Sequence, residues 1–452
     1  MNNKFCPLPW IFEAVRNNGD IRICCQANTS ISKGIHRKKD GTAYNAKYDN
    51  LDEARNSDLA KQVRLSMLKG TDHEACIRCD REDASGVNSR RQYENELWNN
   101  RFNFDKAKAI TKSDGSINTE EVPVMYYDLR FGNFCNLKCR MCGPTDSHQW
   151  YEDHVKVWGQ ETFDDSHGKV ELIKNEKNRY IVKYDDYNWF DSDEFWQQID
   201  KNIPNIRQIH TVGGEPLLID KHYDLLERCI DLGYAKDIIV EYNTNLVNVP
   251  KRAWDIWPKF KRVQLGISID AVGDLNDYIR NPSNFQKLAE NLHKIDNSPG
   301  DIRAWIACTI QVYNVAYLPD FMKWIIQQNF KKIGVNTSKP ILNPHPLHNP
   351  RFLNTKILPK EAKDFVKTKY NEYYIWLDNY LMTANLDETM KDAYKKASKK
   401  ILESYYDMMI AEDWSDELDK FWKYTMRLDN IRNENFKDVA PELYEIIKEY
   451  VK

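Results

Sequence analysis

The chain lacks what would place it in a membrane or on a nucleic acid. No uninterrupted apolar run approaches the about 20 residues that a bilayer span needs. The first residues show no basic-then-apolar pattern of a secretory leader. An excess of one charge is missing too: 65 Lys and Arg against 68 Asp and Glu leave −3. That balance gives no electrostatic case for nucleic acid or a membrane surface. Internal repeats and low-complexity tracts are absent. What is present is size and apolar content: 452 residues, 41% hydrophobic and 12% aromatic, enough for sizeable cores and about three domains.

The informative residues are the ten cysteines, eight of which precede residue 143. Without a leader, a reducing cytoplasm is the expected compartment, and there clustered cysteines bind metal more often than they pair as disulfides. Cys229 and Cys308 stand alone in apolar surroundings and are expected to be buried. The densest group is Cys135, Cys139 and Cys142, spaced C-x3-C-x2-C. It supplies three thiolates where a cubane iron–sulfur cluster usually takes four, so one iron stays open to a small molecule. The alternative is a zinc site, which needs a fourth ligand, and His148 lies six residues past Cys142.

Around this loop, strand-like and helix-like segments alternate. Strands are expected at 125–131, 206–212, 237–242, 263–269, 304–311 and 333–337, with helices at 221–232, 285–295 and 318–328. Such alternation argues for parallel strands with helical crossovers, an α/β fold in which six units make a partial (β/α)6 barrel. Catalytic groups of such barrels gather after the strands. Gly213-Gly214-Glu215-Pro216 follows the second strand, Asn243-Thr244-Asn245 the third, and Ser268-Ile269-Asp270 ends the fourth. Two glycines let backbone approach a ligand closely.

The cysteine loop, the strand before it and the Gly-Gly-Glu turn after it resemble the radical S-adenosylmethionine (SAM) enzymes. The resemblance implies that Cys135, Cys139 and Cys142 hold a 4Fe–4S cluster whose open iron is chelated by SAM. It implies that Gly213, Gly214 and Glu215 receive the SAM amino group, that Ser268 and Asp270 contact the ribose, and that Arg280 pairs with the SAM carboxylate. A guanidinium suits that pairing by bidentate geometry. Asn243 and Asn245 join as further cofactor contacts. The family usually has an aromatic before the third cysteine; this chain has Met141, whose thioether can also lie against adenine.

Cys6, Gly19, Cys24 and the pair Cys76/Cys79 resemble the twitch domain of these enzymes, a reduced SPASM domain. The resemblance implies an auxiliary 4Fe–4S cluster on Cys6, Cys24, Cys76 and Cys79, with Cys25 a spare thiol; a zinc knuckle on the same four is the alternative. Four cysteines saturate the irons, which suits an electron relay. Here that block precedes the barrel, as in the subset with an N-terminal twitch domain.

The expected organisation is an auxiliary-cluster domain at 1–105, a barrel at 122–340 with an aromatic-rich insertion at 150–200, and a helical region at 341–452. A polar linker is expected at 106–121 and a hairpin from 170–173 with 180–184. By resemblance the activity is reductive cleavage of SAM to a 5′-deoxyadenosyl radical and hydrogen abstraction from a peptide or protein side chain. The electron donor is of the flavodoxin or ferredoxin kind. A small-molecule dehydrogenase and a zinc-binding interaction protein are the competing readings. No catalytic acid or base is named by the sequence; His210, Asp128 and Arg130 are candidates.

Overall fold

The computed structural model describes residues 4–27, 34–165, 168–183, 186–334 and 341–451. Two compact units divide the chain, each built from distant stretches. The first comprises Met1–Phe134, Thr162–Tyr242 and Lys251–Val263; the second comprises Cys135–Glu161, Asn243–Pro250 and Gln264–Lys452. Among the described residues no helix is long and apolar enough to cross a membrane.

In the first unit, β1 (Phe12–Val15), β2 (Ile21–Arg22), β3 (Tyr126–Arg130), β7 (Gln208–Val212) and β8 (Ile239–Thr244), the last as far as Tyr242, form a sheet in the order β8-β7-β3-β1-β2. Its inner pairs are parallel and only β2 runs antiparallel, to β1. Parallel neighbours need crossovers, and the helices Asp193–Asn202 and Asp220–Asp231 precede and follow β7 as such connections require. The strand β1, from the N-terminal block, pairs with β3. Register sets Arg22, Ala14, Asp128, His210 and Glu241 side by side across five strands. Paired residues project to the same face, so their side chains form one transverse row.

The N-terminal block has its own apolar cluster, including Phe5, Trp10, Trp98 and Phe102. Its helix Asp58–Lys69 starts where the Ser57 hydroxyl accepts from the Ala60 amide and stops at Gly70, whose φ is 74°. Arg64 on that helix is fully buried and donates to the carbonyls of Pro9, Arg55 and Gly115. The stretch expected to be a linker is therefore anchored. It begins with the helix Phe104–Ile110, and Gly115 turns at φ 85° against Lys61, whose carbonyl oxygen would stand 2.4 Å from an added Cβ.

The insertion holds β4 (Thr162–Asp165), β5 (Gly168–Lys174) and β6 (Tyr180–Val182), an antiparallel three-stranded sheet. The expected hairpin is its β5–β6 half; Tyr184 lies outside the described residues. Trp189 fastens the insertion to β3. It stacks on Phe131 at 5.7 Å, and its indole donates to the Arg130 carbonyl at 3.2 Å.

The second unit contains β9 (Arg262–Ser268) from Gln264 on, β10 (Ile302–Ile310) and β11 (Asn343–Pro346), ordered β11-β10-β9. Of the sixth expected strand, Ile333 makes a single parallel bridge to Ala304, and 335–337 lie outside the described residues. The strand that pairs along β10 is β11 instead. Its two prolines carry no N–H, which disguised it in the sequence and is tolerated at a sheet edge. The C-terminal region is helical: Lys360–Thr383, Glu388–Ile410, Leu418–Arg432 and Pro441–Lys448. Tyr373, Leu377, Ile401, Met409, Leu443 and Ile447 are buried as their spacing suggests, whereas Tyr450 is exposed.

Candidate functional site

All ten cysteines are free thiols. Cys135 and Cys139 are buried, Cys142 is half-buried, and the loop carrying them is tied along most of its length. The Cys135 amide donates to His148 Nδ1 at 3.2 Å. Ser147 holds the Leu137 carbonyl at 2.5 Å, and the Trp150 indole holds the Cys139 carbonyl at 2.9 Å. His148 thus serves the loop backbone through Nδ1, which speaks against its use as a fourth zinc ligand. The Cys142 thiol hydrogen-bonds toward Cys139; with the Arg280 guanidinium this pulls Cys139 below its ordinary value, against burial. Three thiols, one already biased to thiolate, fit an iron–sulfur cluster with one open iron.

Arg280 sits directly over this loop. Its Nη1 lies 3.8 Å from Cys139 Sγ, and its Nε pairs with Asp270 Oδ2 at 2.9 Å. Asp270 is fully buried, and its other oxygen accepts from the Thr309 amide at 2.7 Å. Its carboxylate is thereby engaged in holding Arg280. Asn245 donates to Asn136 Oδ1, inside the cysteine loop, at 2.9 Å. Ser268 closes β9 half-buried. Asn243 is exposed, with its Oδ1 against Gly266.

In the first unit, Gly213-Gly214-Glu215 lies against Phe134, the residue immediately before Cys135. The Glu215 amide donates to the Phe134 carbonyl at 2.8 Å. Gly214 has φ 32°, and a Cβ there would stand 2.2 Å from that carbonyl oxygen, so no larger residue fits. The Glu215 carboxylate, nearly fully buried, accepts from the Leu217 amide at 3.1 Å.

The transverse row on the same unit's sheet is charged. Asp128 is fully buried, 3.6 Å from Arg130 Nε and 3.7 Å from His210 Nδ1, and among the described residues neither carboxylate oxygen has a hydrogen-bond partner. Burial would raise Asp128, but Arg130, His210 and Arg22 hold it well below the usual carboxylate range. Burial lowers the His210 imidazole, but Glu241 and Asp128 outweigh it and raise it. Such unmet buried polar groups are costly and mark functional sites more often than random positions.

The N-terminal thiols Cys6, Cys24, Cys76 and Cys79 line one cavity, together with Arg91. Burial pushes the Cys76 thiol up to about 11 and raises Cys6 and Cys79. The adjacent Cys25 hydrogen-bonds with Cys24, which lowers it to about 7. Among the described residues no three His, Cys, Asp or Glu gather closely enough for a single ion. Four thiols lining one cavity are the donor set that either a 4Fe–4S cluster or a zinc ion would use.

Residues 129–308 match the family model described as the Radical SAM superfamily. That match is to a Radical SAM domain within the chain. Members of the superfamily use SAM and a 4Fe–4S cluster, and the matched segment contains the cysteine loop, the Gly-Gly-Glu turn and Arg280. No curated protein matches the chain. Among solved structures it is similar to native anSMEcpe with bound AdoMet, at 15% identity and TM-score 0.36, covering 59% of this chain and 63% of that one. It is also similar to Streptococcus suis SuiB bound to precursor peptide SuiA, at 15% identity and TM-score 0.27, covering 60% and 54%. For SuiB alone the values are 12%, 0.33, 85% and 71%. The chain thus spans less than two thirds of the anSMEcpe chain and of the peptide-bound SuiB chain.

Four residues that the sequence did not single out also belong to the cysteine loop's surroundings: Arg140, Tyr424, Asp429 and Glu434. Arg140 pairs with both carboxylates, and Tyr424 donates to the Arg140 carbonyl. The available signal was a carboxylate, Asp429, on the apolar stripe Phe421, Thr425 and Leu428.

Proposed function

We propose that this protein is a radical SAM enzyme that takes a hydrogen atom from a peptide or protein side chain, with an auxiliary 4Fe–4S cluster as electron relay. The observation that carries this is the buried Arg280 guanidinium, fixed by Asp270 and lying 3.8 Å from the sulfur of Cys139. Cys135, Cys139 and Cys142 would hold the cluster. When bound, it passes one electron to SAM, whose cleavage gives methionine and the 5′-deoxyadenosyl radical that abstracts the substrate hydrogen. Arg280 orients the SAM carboxylate, and Asp270 orients Arg280. By the resemblance, Gly213-Gly214-Glu215 would receive the SAM amino group, and Asn243, Asn245 and Ser268 would be further cofactor contacts.

Cys6, Cys24, Cys76 and Cys79 would hold the auxiliary cluster in the manner of a twitch domain. The peptide substrate rests on the resemblance to auxiliary-cluster enzymes, and the reductant would be a flavodoxin or ferredoxin. The charged row Arg22, Asp128, His210 and Glu241 would supply polar contacts to the substrate. By chain position the row adjoins the cofactor motifs: His210 precedes Gly213 by three residues, and Glu241 precedes Asn243 by two.

The test is SAM binding to anaerobically reconstituted protein. Arg280→Met should weaken it about ten- to a hundredfold, the range expected for a lost charge-assisted contact. Unchanged affinity with intact iron content would refute the role given to Arg280.

A further inference from the structure

We propose that the acidic turn closing the helix Leu418–Arg432 is a positioning part of the cofactor site. In this assignment Asp429 and Glu434 clip the cysteine loop to the loop that carries Arg280; it rests on reading Cys135, Cys139 and Cys142 as cluster ligands. The C-terminal helices lie outside the matched family segment, which ends at residue 308.

The clip begins with Arg140, the residue after Cys139. Its side chain is wholly buried, and its Nη2 lies 2.5 Å from Asp429 Oδ1 and 2.6 Å from Glu434 Oε2. Its guanidinium carbon lies 3.5 Å from the centre of the Tyr278 ring, and its Nε donates to the Tyr278 carbonyl at 3.0 Å. Each carboxylate then reaches onward. Asp429 Oδ1 accepts from the Tyr278 hydroxyl at 2.8 Å, and Glu434 Oε1 accepts from the Asn281 amide at 2.7 Å. Tyr278 and Asn281 flank Arg280. Backbone bonds run alongside: Lys138 N–H to the Asn281 carbonyl at 2.6 Å, and Arg140 N–H to the Ile279 carbonyl at 2.8 Å. Tyr424, on the same helix as Asp429, donates to the Arg140 carbonyl at 2.6 Å.

The local sequence explains why two acids converge here. Asn433 takes the left-handed conformation, φ 54° and ψ 47°, and ends the helix. The Glu434 amide then turns back onto the Asp429 carbonyl at 2.9 Å. That reversal sets the two side chains together. A buried guanidinium must be paired, and here the pairing groups also hold the loop that aims Arg280 at Cys139. The orientation of ligands and the charge near a cluster set its properties. Asp429 and Glu434 therefore act on the cluster through Arg140 and Arg280 without touching it.

The experiment uses full-length protein, with and without reconstitution, and compares wild type with Asp429→Asn/Glu434→Gln, Tyr424→Phe, Asn433→Val and Asn433→Gly. Glu445→Gln, in an exposed ion pair with Lys437, is the control. Hydrogen exchange in the cluster-free protein should be about tenfold faster at amides 138–142 and 278–281 in the double variant and in Asn433→Val. Asn433→Gly, which keeps the left-handed turn, and the control should match wild type. In reconstituted protein, the shift that SAM produces in the electron paramagnetic resonance signal of the reduced cluster should shrink in the same variants. Unchanged exchange and an unchanged SAM-induced shift would overturn the clip. If the double variant does not fold, Tyr424→Phe and the Asn433 pair give the same readouts. Wild-type protein that takes up no iron would sink the cluster reading itself, and with it the cofactor role assigned to the clip. Faster exchange alone would then mark only a structural tie.

Discussion

Single residues carry the tightest constraints. Gly214 is the clearest, because a Cβ there collides with the backbone oxygen of Phe134 rather than with a side chain that could swing away. Gly214→Ala should cost on the order of 2–3 kcal/mol and distort the entry to Cys135. Thermal melting and iron uptake after reconstitution would check it; a melt and iron content equal to wild type would contradict it. Glu13 gives a pH signature. It is almost fully buried on β1, and burial raises it to about 8 despite Arg55. The folded state therefore holds a proton that the unfolded state releases near its ordinary value. Stability should fall as pH rises from about 4.5 to about 8, by up to roughly 4 kcal/mol from this group. Glu13→Gln should flatten that slope in denaturant titrations run between pH 5 and pH 8. An equally steep slope in the variant would remove Glu13 as its source.

At the scale of elements, the insertion is anchored at one end and solvent-facing at the other. Trp189 is fully buried, wedged between Phe131 and Phe195, whereas Ile181 on β6 is 38% exposed. Trp189→Ala should cost about 3–5 kcal/mol, and Ile181→Ala within about 0.5 kcal/mol. Chemical denaturation of the two variants would show the contrast, and similar losses would mean that the anchor is misplaced. Elements with regular periodicity were legible in the sequence: the strands around 125–131, 206–212 and 263–269 and the helices at 221–232, 285–295 and 318–328 occur within a few residues of expectation. What was illegible had a physical cause in each case. β11 hides behind prolines, the supposed linker is pinned by a distant buried arginine, and β1 pairs with a strand more than a hundred residues away. The same holds at the site. Spacing marked the cysteines, but the hold of Asp429 and Glu434 on Arg140 spans almost 300 residues of sequence, which local pattern does not encode.

Across the whole molecule, the proposed function divides seven cysteines between two clusters of different openness. Cys135, Cys139 and Cys142 would leave one iron for SAM, and Cys6, Cys24, Cys76 and Cys79 would leave none. The most direct test is anaerobic reconstitution with iron and sulfide counts and a 5′-deoxyadenosine assay, run beside a Cys135/Cys139/Cys142→Ala triple variant. The expected result is about eight irons in the wild type and about four in the variant, with 5′-deoxyadenosine formed only by the wild type. Stoichiometric zinc without iron, and no 5′-deoxyadenosine from either protein, would contradict it.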